Sequence, residues 1–292
     1  MTDSRMDLQA LRDYDDPVGS ERRFRELLEG DHNPSFRVEV LTQVARAQGL
    51  ERHFADARET LAEADRLEHT GRGTIRIALE RGRVERSDGD AGAARPYFDT
   101  AWTLACAAAE DGLAVDAAHM LALVSQTDDA ITWNERAMAL AESSADPDAR
   151  RWVGSLANNL AWAYHDRGDP ETALVWFERA LDARRAEGDV GRERIARWSV
   201  ARCLRTLGRV DEALALQRAL AVDLDEAGET DGYVFEEIVF EEIGECLFEL
   251  GRPGDARPYF ARSFEELSAD ARLRAGEPER LLALSVPAQT EP

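Results

Sequence analysis

The sequence predicts an all-α solenoid, a helix hairpin duplicated along the chain and stacked on its own copies. Three observations carry that prediction. Leu160–Leu181 reads as two short helices joined by a Gly-Asp-Pro turn at 168–170. Looser copies recur, with turn positions at Gly49, Gly89, Ser125, Gly168, Gly208 and Gly251, spaced by 40, 36, 43, 40 and 43 residues. Alanine, leucine, glutamate and arginine dominate, and clusters of β-branched residues are scarce. One such hairpin cannot bury its apolar face alone, so copies must stack into a continuous core.

The elements follow in order. Residues 18–29 read as a leading helix, the remnant of a degenerate repeat that includes Leu8 and Leu11. In each copy a residue seven places before the turn is usually small: Thr42, Gly82, Ala118, Ala161, Ala201 and Gly244. Five residues after the turn stands Ala94, Ala130, Ala173, Ala213 or Ala256; Ala57 takes this part in the first copy, behind a longer loop. Four residues further come Leu61, Phe98, Asn134, Phe177, Gln217 and Phe260. Small residues on facing helices let two backbones approach, and the larger side chains fill the seam. Gly-Asp at 89–90 and 168–169 ends one helix and caps the next, and Pro170 suits a first helical turn. Residues 231–248 are the most strand-like stretch, but the spacing of Val234, Ile238 and Gly244 favours a helix. A short capping helix is expected over 277–285 and a disordered tail over 286–292. The organisation is therefore a degenerate cap over 1–33, six helix pairs over 34–275, and a C-terminal cap with tail over 276–292.

These residues resemble the tetratricopeptide repeat (TPR), whose signature is L-G-x-x-Y followed by A-x-x-x-F and a small residue. Leu160-Ala161-x-x-Tyr164, Ala173-x-x-x-Phe177 and Ala180 carry the likeness best, and Ile243-Gly244-x-x-Leu247 with Ala256-x-x-x-Phe260 repeats it. The copy at 79–101 fits at Gly82, Ala94, Phe98 and Ala101, whereas Thr42, Asn134 and Gln217 depart from the pattern. Spacings above the usual 34, and Asn158-Asn159-Leu160-Ala161, are similar to the kinesin light chain type. The resemblance implies a right-handed solenoid in which first helices line the concave surface.

Charge and composition narrow the function. The 292 residues carry 36 basic and 58 acidic side chains, a net charge of −22. That surface repels nucleic acid and anionic lipid. Every basic residue is arginine, so a lysine Schiff base, a P-loop lysine and a serine–lysine nucleophile are excluded. G-x-S-x-G, H-E-x-x-H and C-x-x-C are missing, and the five histidines show no metal spacing. The chain reads as non-catalytic, without cofactor or metal. Neither a bilayer-spanning apolar run nor a basic-then-apolar leader is present, which predicts a cytoplasmic protein. Cys203 and Cys246 fall at equivalent apolar places and read as small core residues.

The resemblance places the side chain after each small position, those two or three before it, and those one turn further on, on the inner wall. This nominates Arg83 and Arg86 from the second copy, His119 from the third, Asn158, Asn159 and Trp162 from the fourth, and Trp198, Arg202 and Arg205 from the fifth. Arginine forks bind carboxylates, paired amides hold an extended backbone, and indoles supply apolar anchors. Glu241, Glu242 and Glu245 make the last copy negative. These same arginines and glutamates, on adjacent helices, can instead pair with one another. The expected partner is a protein or peptide bearing acidic groups, held in the groove. Alternatives are a regulator that senses a signal peptide and a self-assembling scaffold, with a homodimer allowed by the capped ends.

Overall fold

The computed structural model describes residues 8, 11–69, 71–227, 236–269, 274 and 276–289. The described residues are helical, with loops between, and contain no strand. The chain divides into two compact units, Met1–Leu156 and Ala157–Pro292.

In the first unit α1 (Pro17–Leu28) precedes three hairpins: α2 (Pro34–Leu50) with α3 (Phe54–Arg66), α4 (Gly71–Ser87) with α5 (Ala91–Ala107), and α6 (Asp111–Leu123) with α7 (Thr127–Ser143). A single turn, α8 (Pro147–Arg150), leads into α9 (Val153–Asp166), inside which the division falls. The second unit pairs α9 with α10 (Pro170–Glu187), α11 (Val190–Thr206) with α12 (Val210–Ala227), and α13 (Glu236–Glu249) with α14 (Pro253–Ala269). The last helix is α15 (Pro278–Gln289).

The leading helix is present, with Asp16 capping it and Pro17 in its first turn. Phe24 of α1 is buried with Leu8, Val40 and Val44. The C-terminal cap is also present, and Leu281 and Leu284 enter the core of the second unit. That helix reaches Gln289, beyond residue 285, so the tail expected to be disordered from 286 starts as helix. Residues 290–292 lie outside the described residues, as does the start of the predicted 231–248 helix; α13 begins at Glu236.

The notches meet as the spacing predicts. A Cβ placed on Gly82 would overlap the Phe98 ring, and one on Gly244 would lie 2.8 Å from Phe260. Ala161, Ala173 and Phe177 share one core cluster, and Phe98, Phe177 and Phe260 are among the largest fully buried side chains. Asn134 and Gln217 occupy the same buried position in their copies. Asn134 Nδ2 donates to the carbonyl of Ala130 at 3.0 Å. Cys203 and Cys246 are fully buried, and burial pushes their thiols up to about 11 and about 12. They are core atoms at neutral pH.

One register is corrected. Gly49 lies inside α2, and the first hairpin turns at Arg52, whose φ is 64°. The amide of His53 donates to the carbonyl of Gln48 at 2.9 Å, the same closure that Asp90 makes to Glu85 and Asp169 to Tyr164. Counted from Arg52, the alanine five residues on is Ala57 with no longer loop, and the small residue seven before is Ala45 rather than Thr42. Ala45, Ala57 and Leu61 are buried together. A glycine marks this left-handed turn at 89, 168, 208 and 251, where no side chain resists it. At Arg52 packing imposes the turn on a residue that does not signal it.

Candidate inner wall of the helix pairs

In each unit the first helices of successive pairs bring the nominated side chains into contact. In the second unit α9 presents Trp162, whose ring meets Phe177 edge-on at 4.9 Å and Trp198 of α11 at 6.1 Å. Both indoles are half-buried against the core. Trp198 Nε1 donates to the carbonyl of Ile238 at 3.3 Å, which fixes that ring against α13. Asn158 and Asn159, one turn before Trp162, are half-buried. His165 Nε2 lies 3.1 Å from Thr206 Oγ1.

The arginines of this wall differ in their freedom. Arg205 Nε and Nη2 donate to Glu242 at 2.9 and 3.1 Å, and Nη1 donates to Glu249 at 2.7 Å. Glu242 is buried and satisfied by this fork, so the bond is structural. Arg202 approaches Glu242 at 3.2 Å and lies 5.3 Å over the Trp198 ring, with its side chain 39 % exposed. Burial pushes the Glu245 carboxyl up; Arg205 opposes this, while Glu242, Glu241 and Glu249 add to it.

In the first unit Arg83 of α4 donates to Asp116 of α6 and to Glu80. Burial alone would raise the Asp116 carboxyl, but the Arg83 guanidinium outweighs it and holds the group below the usual carboxylate range. His119 packs 5.1 Å from the Trp152 ring. Burial pushes this imidazole down to about 4, with Asp116 opposing and Arg83 and Arg86 assisting. It is therefore neutral at pH 7. Arg86 is exposed at the end of α4.

The nominated residues thus form two groups: Arg83, Arg86 and His119 in the first unit, and Asn158, Asn159, Trp162, Trp198, Arg202 and Arg205 in the second. Of the four arginines, Arg83 and Arg205 are the more buried and are held by the chain's own carboxylates, Arg202 also approaches Glu242 but is 39 % exposed, and Arg86 is exposed. One member of the wall, from the first copy, was not among the nominated residues. Arg46 follows Ala45 as Arg83 follows Gly82, and stands beside Glu80 across to α4 at 3.6 Å. The alanine at 57, read backward by five, was the available signal. Among the described residues, no group of three His, Cys, Asp or Glu side chains is gathered to hold a metal ion, and no helix is long and apolar enough to cross a membrane.

A family model described as tetratricopeptide repeat matches residues 110–186. No curated protein matches the sequence. Among solved structures, the nearly identical TPR-like repeats assigned to a kinesin light chain of Podosopora anserina superpose, in a single-residue variant, with a TM-score of 0.58 at 16 % identity, covering 70 % of this chain and 99 % of theirs. The apo form of RapI reaches a TM-score of 0.69 at 12 % identity, over 94 % of this chain and 84 % of its own. NprR in complex with its cognate peptide NprX reaches 0.56 at 15 % identity, over 97 % and 84 %.

Proposed function

We propose, from the match of residues 110–186 to a tetratricopeptide repeat model, that the chain is a non-catalytic interaction module that holds a segment of a partner protein against the inner wall. The observation that carries this reading is the wall of the second unit. Trp162 and Trp198 are half-buried, set against each other and fixed from behind, with the partly exposed Arg202 beside them. Rigid indoles next to a guanidinium are the composition that concentrates binding energy. The exposed ends of Arg86 and Arg202 suit a partner with acidic groups.

A short peptide is a better fit than a folded surface. NprR was solved with a peptide, and the two half-buried indoles offer apolar anchors for single side chains. This supports the reading in which a peptide signal is sensed.

The test is capture of a peptide library by the purified chain, read by tryptophan fluorescence. An Arg202→Glu/Asn159→Ala variant of unchanged helicity is expected to lose the captured peptides. Equal capture by both proteins removes the wall as the binding surface. Sedimentation at several concentrations tests the alternative that the chain binds a second copy of itself.

A further inference from the structure

The first unit holds a second feature, which stands apart from the peptide reading. A cavity of about 150 Å³ is lined by six arginines, Arg12, Arg46, Arg72, Arg76, Arg83 and Arg151, and by the carboxylates of Glu80, Asp116, Asp146 and Asp148. That is roughly ten times the space one water requires. Six guanidiniums converge there against four lining carboxylates, in a chain of net charge −22. Such crowding has a cost unless an anion offsets it.

The chain's own carboxylates offset it only in part. Arg83 is held by Glu80 and Asp116, Arg72 by Glu110, and Arg151 by Asp148 at 3.3 Å. Arg46 comes no nearer than 3.6 Å to Glu80, and Arg76 no nearer than 3.5 Å to Glu39. Arg12 is bonded to neutral groups, Gln43 and the Tyr14 hydroxyl. The Nε atoms of Arg12, Arg46, Arg72, Arg76 and Arg83 are buried and make no hydrogen bond within the protein. Buried donors without acceptors are rare in native structures and call for a reason.

We propose that this cavity is a binding site for a doubly charged oxyanion, a phosphate or a dicarboxylate, gripped chiefly by Arg46 and Arg76. Guanidinium forks match the oxygens of both groups. Glu80, which lines the cavity and pairs with Arg83, orients the site and limits how much negative charge it admits. Tyr14 closes one side, and its hydroxyl already answers the positive field: burial raises this phenol, but Arg12 and Arg46 outweigh it and leave it below its ordinary value.

The full chain is titrated with sodium phosphate and with sodium succinate, against sodium chloride at matched ionic strength, by calorimetry and thermal melting. Both oxyanions are expected to bind and to raise Tm above the chloride control. Arg46→Gln and Arg76→Gln are each expected to weaken binding about tenfold or more, while Arg95→Gln, remote on α5, leaves it unchanged. A second readout needs no pocket variant. Tyr14, identified by comparison with Tyr14→Phe, should ionise below the ordinary phenol value, and saturating phosphate should move it back up. A Gly-Gly-Asp-Asp peptide and its Gly-Gly-Asn-Asn amide distinguish a free ion from one carried by a peptide: tighter binding of the acidic peptide than of succinate assigns the peptide source, and weaker binding assigns the free ion. No binding beyond the chloride control, binding unchanged in both pocket variants, or a Tyr14 titration indifferent to phosphate overturns the proposal.

Discussion

Gly82 and Gly244 show how much one missing methyl group decides. Each lets a phenylalanine ring lie where a Cβ would stand. Gly82→Ala must push Phe98 or the helix aside, and a destabilisation of about 1–3 kcal/mol is expected in urea unfolding. Phe98→Ala empties the same notch and should lose about 3–5 kcal/mol. His119 supplies a pH test. Its imidazole is held near 4 in the fold, against about 6.5 when unfolded. Its contribution is therefore whole above 6.5 and drains away as pH falls from there towards 4, because the unfolded chain takes the proton first. The urea midpoint should decline between pH 7 and pH 5 in the wild type, and less so in His119→Asn.

Among the helices, capping follows the local sequence closely. Asp90 accepts from the amide of Ala93 at 2.8 Å, and Asp169 from Thr172 at 3.2 Å. Asp90→Ala should cost about 1 kcal/mol, measured by the same unfolding experiment. Five of the six hairpin turns lie where the sequence places them, because glycine or a short polar turn announces itself. The sixth lies at Arg52. Nothing in that side chain advertises a positive φ, and the misplaced turn displaced the first copy's inner wall by three residues.

For the whole chain, excess negative charge is the dominant long-range force. Net charge of −22 favours expansion, and salt screens it over a Debye length of about 10 Å at 0.1 M. Raising sodium chloride from low to moderate concentration should therefore increase Tm; a fall would mean that local ion pairs outweigh the global repulsion. Helix class, pair spacing, glycine notches, both caps and the buried cysteines are all written in the order of residues, because each depends on neighbours within a few turns. Charge pairing is different. Arg83, Arg202 and Arg205 look alike as letters, yet Arg83 and Arg205 are locked to Asp116 and Glu242, whereas Arg202 touches Glu242 from a more exposed position. The convergence of Arg12, Arg46 and Arg76 is equally invisible in one dimension, since those residues come from a loop and two helices that meet only after the hairpins have stacked. Periodicity is a local property that the chain carries along its length, whereas the partner of a charge is chosen by distance in space.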